Sequence, residues 1–412
     1  MTLPLSREAC VAKDAADPLA FARSRFELPE GIIYLDGNSL GALPRATAHQ
    51  VAELVQNAWG QGLIRSWNSA NWITAPQRVG VKIARLIGAE ADEVIVADST
   101  SINLFKGISA ARALRPDRRV ILTEPGNFPT DLYMLQGLKS LCPDLDIRIV
   151  ARDQIEAALD GSVAVLCLTH VHYKSGEMFD MARLTSAAHA EGALVLFDLS
   201  HSAGAVEVDL KGAEVDFAIG CGYKYLNGGP GAPAFIFAAR RHHAQMRQPL
   251  SGWMGHARPF DFVDDYAPAG GMAQFLSGTP AILGLAALEA GLATFDGLTL
   301  AALREKSVML AETFIALVEA KMPGVFGLAS PRNPAHRGSQ VSLTHRHGYE
   351  IMANLIAQGV IGDFRAPDHL RFGFTPLYLR FQDVYDATEH LSAIMQAESW
   401  RAPQFATRAA VT

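Results

Sequence analysis

The sequence predicts an α/β fold: a large domain built on a seven-stranded, mostly parallel sheet between helices, and a smaller α+β domain formed by the C-terminal part and an N-terminal arm. Three observations predict it. Seven short apolar runs, at 93–98, 119–124, 146–151, 163–168, 193–198, 215–220 and 233–238, alternate over most of that span with helical patterns or loops. These runs carry little internal polarity, as strands covered on both faces do. The 412 residues exceed what one small core needs, and 49% hydrophobic against 19% charged residues suits a well-packed globular chain. The expected division is an arm at 1–44, a large domain at 45–295 and a small domain at 296–412.

Composition also narrows the function. The net charge of -6 is modest and the Lys and Arg residues are scattered, which argues against nucleic acid or an anionic membrane as a partner. Cys10, Cys142, Cys167 and Cys221 are widely spaced and form no C-x-x-C pair, so neither a zinc ribbon nor a disulfide framework is expected. The N-terminus lacks a basic region followed by an apolar run, and no stretch reaches the ~18 apolar residues that span a bilayer. A soluble protein of the reducing cytoplasm is the expectation.

Taken in order, the arm carries Tyr34-Leu35-Asp36-Gly37-Asn38-Ser39-Leu40-Gly41, an extended segment closed by turn residues. From 45 to 86 apolar positions recur at helical spacing through Val51, Leu54, Val55 and Trp59, interrupted by Trp67 and Trp72, which either line a pocket or cover the core. In a parallel sheet ligands sit beyond the carboxyl ends of the strands, so the residues that follow each run matter most. After the first come Ser99, Thr100 and Ser101, opening a helix at 102–114; they are either a plain cap or a phosphate seat. After the second come Asn127, Phe128, Pro129, Thr130 and Asp131, with Pro129 suited to a first helical turn and Phe128 able to stack on a planar ring or plug the core.

The fourth run leads to Thr169, His170 and His172, and the fifth ends at Asp198, followed by Ser200 and His201. Asp198 is either a turn cap or a carboxylate that keeps a pyridine nitrogen protonated. His170 and His172 alternate, and with His201 and Asp198 they offer a metal site, but that would leave the next stretch without a purpose. The sixth run leads to Cys221-Gly222-Tyr223-Lys224-Tyr225-Leu226-Asn227-Gly228, a lysine between two tyrosines after a strand and before a glycine-rich turn. Such a setting suits a lysine that forms a Schiff base, and equally permits an ordinary solvated one. The glycines after Lys224 suggest space kept clear for a bulky group. Beyond it, Trp253, Met254 and Thr279 lie in loops, long helices follow at 281–294 and 299–320, and short strands are expected at 325–327 and 339–343. Arg371 falls in a strand-like alternation, where it either lies on an exposed edge or grips a carboxylate. The tail from Ala402 is expected to fray.

Together these motifs resemble the aspartate-aminotransferase superfamily of pyridoxal-phosphate enzymes (fold type I), and within it the kynureninase family. The resemblance runs from Tyr34 to Arg371 and rests most on Phe128-Pro129-Thr130-Asp131, Phe197-Asp198-Leu199-Ser200-His201, Tyr223-Lys224-Tyr225-Leu226-Asn227 and Gly252-Trp253-Met254-Gly255-His256. It implies that Lys224 binds pyridoxal 5'-phosphate as a Schiff base and that Asp198 pairs with the pyridinium nitrogen. Thr100, Ser101 and Tyr223 would contact the phosphate, Phe128 would stack on the ring within Phe128 to Asp131, and Thr169 and His201 would line the pocket. Arg371 would bind the substrate carboxylate, with Ser39, Met254 and His201 among the substrate contacts and Trp67, Trp72 and Thr279 as further candidates for the aryl ring. Trp253 and Thr279 would complete the site across the interface of a homodimer. The implied reaction is hydrolysis of L-kynurenine, or its 3-hydroxy form, to the anthranilate and L-alanine. It would run through a ketimine and a retro-Claisen cleavage with Tyr223 moving a proton, in tryptophan breakdown or NAD biosynthesis. Asp36 stands where the family often has cysteine, and Ser200 where alanine is common. An aminotransferase of the same fold and a non-catalytic ligand-binding relative stay open as alternatives. A cysteine desulfurase needs a reactive cysteine on a late loop, and none follows Cys221.

Overall fold

Local sequence signals set the elements. Ser99 caps the helix Thr100–Ala113 by accepting from the Ile102 N–H, Pro129 opens the helix Pro129–Leu141, and Thr299 caps Leu300–Lys321 through the Ala302 N–H. A computed structural model describes residues 3–408, so the first two residues of the arm and 409–412 of the tail lie outside the described residues. The chain divides into two units: one holds the chain up to Ala48, Tyr173–Met178 and Ala293 onwards, and the other holds His49–His172 and Phe179–Leu292. The segment Tyr173–Met178 thus leaves the 45–295 span for the smaller unit.

The arm contributes β1 (Ile33–Tyr34). The larger unit then supplies β2 (Val94–Ala97), β3 (Val120–Thr123), β4 (Asp146–Ile149), β5 (Val163–Thr169), β6 (Leu194–Asp198), β7 (Phe217–Gly220) and β8 (Ala234–Ala238). They form one sheet in the order β2-β8-β7-β6-β5-β3-β4. All seven expected runs are strands of it, most of them one or two residues shorter, because the terminal residues already turn toward the next element. Only β8 runs antiparallel, against both β2 and β7. Every residue of β2, β3 and β5 to β8 is buried, while the edge strand β4 is half-exposed. Ile95, Leu196, Phe217, Ile219 and Ile236 of the sheet share one core with Leu104 and Ile108 of the helix Thr100–Ala113.

The smaller unit holds β9 (Gly327–Leu328), β10 (Gln340–Thr344), β11 (Val360–Ile361), β12 (Asp363–Arg365) and β13 (His369–Gly373). A four-stranded antiparallel sheet runs β12-β13-β10-β9, and β1 pairs in parallel with β11. The strand expected at 325–327 begins two residues later, since the chain is still turning there and the Val325 N–H bonds to Met322 O. Nor does the tail fray from Ala402: Pro403–Phe405 forms a helical turn, and the Tyr349 hydroxyl donates to Thr407 O at 3.0 Å.

Candidate active site

Strand ends and the loops behind them bring the site of the larger unit together. The register of β5 against β6 places Thr169 opposite Asp198. Asp198 is buried and its Oδ1 accepts from the Ser200 N–H at 2.7 Å. Burial raises its pKa, opposed by the hydrogen bond from Ser200 and the charge of Lys224. Thr169 Oγ1 lies 2.9 Å from Asp131 Oδ2 and also against Asn127 Oδ1. One hydroxyl proton cannot serve two acceptors, and a protonated Asp131 resolves this by donating to Thr169. Burial, with the nearby charge of Asp198, pushes the Asp131 carboxyl well above the usual carboxylate range.

Lys224 Nζ lies 2.9 Å from His201 Nε2 and 5.7 Å from the centre of the Phe128 ring. Phe128 is 40% exposed and stands just ahead of the helix Pro129–Leu141, with Pro129 and Thr130 half-buried beside it and Asp131 in the first turn. Tyr223 is half-buried, and burial raises the pKa of its hydroxyl, so it keeps its proton at neutral pH. Ser99, rather than Thr100 or Ser101, is the helix cap; Thr100 and Ser101 form the first turn, whose N–H groups have no carbonyl of their own helix to bond. That makes an anion seat, helped by the helix dipole. Gly228 does not keep space clear, since a Cβ there would meet Gly222 O at 2.7 Å; it lets the loop fold back on itself.

The three histidines go to separate partners. His170 Nδ1 meets Ser202 Oγ at 2.9 Å, His172 Nε2 meets Gly126 O at 2.9 Å, and His201 meets Lys224. Burial lowers the pKa of His170 to about 4. Among the described residues no group of three His, Cys, Asp or Glu is placed to hold a metal ion, so the metal alternative has no geometry behind it.

Other expected residues are spread more widely. Trp253 is 41% exposed and packs edge-on against Phe260, and Thr279 is exposed. Trp67 and Trp72 pack edge-on at 5.9 Å, and Trp72 lines an apolar groove of about 380 Å³ with Leu54, Trp59 and Ile282. Met254 is instead a core residue, packed with Met272, Phe275 and Leu276.

In the smaller unit Arg371 is buried on β13, directly opposite Asp363 of β12. Its Nε donates to Asp363 Oδ1 at 2.6 Å, Nη2 pairs with Asp363 Oδ2 and donates to Ser39 Oγ at 3.1 Å, and Nη1 donates to Tyr173 O. Ser39 Oγ donates to Asp363 Oδ2 at 2.6 Å. Asp363 and Arg365 join this cluster beyond the site residues expected from the sequence. Their signal was the two-residue alternation of Gly362-Asp363-Phe364-Arg365, which puts both charges on one face of a strand.

The residues of the larger unit fit pyridoxal phosphate. A lysine stands beside an aromatic face and within electrostatic reach of two buried carboxylates. Asn127 Nδ2 and Asp131 Oδ1 are buried without a protein partner, as groups that await a polar ligand are. Solved structures share the fold. The cysteine desulfurase of Thermococcus onnurineus NA1, in its apo form, superposes with a TM-score of 0.78 at 19% identity, covering 92% of this chain and 98% of that one. A C-DES variant with glycine linked covalently to its PLP cofactor gives 0.76 at 16% identity, covering 90% and 98%. Fold and site define a pyridoxal-phosphate-dependent α/β enzyme. The Kynureninase C-terminal domain model matches residues 303–391. The kynureninase of Burkholderia mallei (strain SAVP1) is 51% identical over 414 aligned positions, covering 99% of this chain and all of that protein. That of Deinococcus radiodurans is 51% identical over 390, covering 93% and 95%. The chain belongs to the kynureninase family, hydrolases that act on a carbon–carbon bond with pyridoxal phosphate.

Proposed function

We propose that the chain hydrolyses L-kynurenine, or its 3-hydroxy form, to the corresponding anthranilate and L-alanine. The observation that carries this reading is the placement of Lys224 near Phe128, His201 and Asp198 in a chain 51% identical to a kynureninase along its whole length. Pyridoxal phosphate, when bound, supplies an electron sink that stabilises negative charge on the substrate carbons. Lys224 would hold the cofactor and, once released from it, move the Cα proton on Nζ, while Asp198 would keep the pyridine nitrogen protonated. The first-turn N–H groups of Thr100 and Ser101, with Tyr223, would hold the phosphate. Phe128 would cover the ring, and Thr169 and Asp131 would orient it. When water has added to the neighbouring carbonyl and the carbon–carbon bond breaks, Tyr223, protonated at neutral pH, would give its proton to the alanine carbon and regain one from the hydroxyl of the hydrate, which becomes the carboxylic acid. Arg371 and Ser39 hold the substrate carboxylate.

We infer a homodimer in which Trp253 and Thr279 of one subunit reach the site of the other, supported by their exposure on the larger unit. A cytoplasmic setting agrees with the four free cysteines, and among the described residues no single helix is long and apolar enough to cross a membrane. Anthranilate leaving the site would feed tryptophan breakdown or NAD biosynthesis. Purified protein loaded with cofactor should turn L-kynurenine into fluorescent anthranilate and an equal amount of L-alanine. Formation of kynurenic acid that depends on an added oxo acid would show transamination instead and overturn the reading.

A further inference from the structure

The buried charges around Arg371 do not balance in a fixed way. Asp363 binds Arg371 through both carboxylate oxygens and also meets Arg365 Nη2 at 2.8 Å. Burial opposes its ionisation, but Arg371, Arg365 and Ser39 hold its pKa below the ordinary value, so Asp363 stays charged. A second carboxyl, Asp36, lies in the turn after β1, 8% exposed, with its Oδ1 buried and without a hydrogen-bond partner. The groups that face it are Tyr34 on its own segment, Ser39 two residues beyond the turn's Gly37, Asp363 and Arg365 of β12, and Arg371 of β13. With Asp36 neutral, two arginines against Asp363 leave the cluster at a net charge of about +1. With Asp36 ionised, it is neutral and has nothing left to attract an anion.

We propose that Asp36 sets the charge of the carboxylate-binding cluster: the substrate carboxylate binds Arg371 best when Asp36 is protonated, so that binding and proton uptake at Asp36 are linked. This rests on Arg371 being the carboxylate anchor. Burial, then the neighbouring charge of Asp363, raise the pKa of Asp36 to about 7, which places the transition within the working range of an enzyme. The sign follows from charge. Below pH 7 the cluster is positive and takes the anion; above it a bound carboxylate adds a negative charge beside an ionised Asp36, and affinity falls. Binding raises the pKa of Asp36 further, and each unit of that rise is worth about tenfold in affinity. Aspartate on this buried turn therefore acts as a positioning residue with a titratable setting.

The test is the KM of the cofactor-loaded enzyme for L-kynurenine between pH 6.5 and 8.5. The wild type should show KM rising at least about threefold across that range, whereas Asp36→Asn should hold a low KM that does not follow pH. As a competitive inhibitor, kynuramine, the same molecule without its carboxylate, should show one pH profile in both proteins. A wild-type KM that is flat, which needs no variant to measure, overturns the proposal. So does an Asp36→Asn variant that keeps the rise, or a kynuramine profile that changes with the substitution. Failure of the anchor reading itself has its own signature: Arg371→Ala would leave the KM for L-kynurenine unchanged.

Discussion

A lysine, a tyrosine and an aspartate become a reaction centre only through what surrounds each of them. Tyr223 is the sharpest case. Burial raises its hydroxyl pKa, so at neutral pH it can give a proton and cannot act as an anion. If it returns the proton that completes cleavage, Tyr223→Phe should lower kcat by about 10²-fold while the cofactor absorbance, and its response to borohydride through Lys224, are retained. A kcat within a factor of two of wild type would remove it from the proton path. Residue by residue, the sequence made legible those groups that follow an apolar run, because a strand end in a parallel sheet points to the ligand side: Asp198, His201, Tyr223 and Lys224 stand there. It could not separate Met254 in a core from Met254 in a pocket, since both settings are apolar. Nor could it pair Asp363 with Arg371, which lies eight residues away and meets it only through the register of two antiparallel strands.

Elements hold these residues in place by packing close to them. The helix Ile282–Leu292 passes so near the loop after Lys224 that a Cβ at Gly291 would lie 2.5 Å from both Leu226 O and Asn227 O. Backbone carbonyls cannot swing aside as a flexible side chain does, so Gly291→Ala must displace the helix or the loop. We expect it to cost about 1–3 kcal/mol of stability and to weaken cofactor retention, because the loop that moves carries Lys224. A thermal melt and a dialysis measurement of bound cofactor would check both, and an unchanged melt with full retention would contradict the close approach. At this scale the strands were legible because alternation between apolar runs and turns survives in sequence, whereas the antiparallel sense of β8 was not. That strand reads as apolar as its neighbours, and its direction depends on a loop that returns from Lys224 without a crossover helix.

The whole molecule adds what one chain cannot state about itself. On the larger unit Trp59 is 54% exposed and Ile64 77%, and Trp59 lines the apolar groove with Leu54, Trp72 and Ile282. Exposed apolar surface of this kind is costly in water and marks an interaction site. Trp253 and Thr279 are exposed as well, in the loops that the family resemblance assigns to a neighbouring active site. If a second copy covers this surface and lends those residues, the species in solution has about twice the 44.4 kDa of the chain. The sharper consequence is complementation. Lys224→Ala spoils the site on its own subunit, and a Trp253→Ala, Thr279→Ala double variant spoils the site on the partner. In a mixed dimer both lesions fall on one site and the other is intact. Unfolding and refolding equal amounts of the two proteins together should give half mixed dimers, each with one working site, and so restore about a quarter of wild-type activity. Lesions that act within one subunit would leave each site of the mixed dimer with one of them, and the refolded mixture would then show no more activity than the two variants apart.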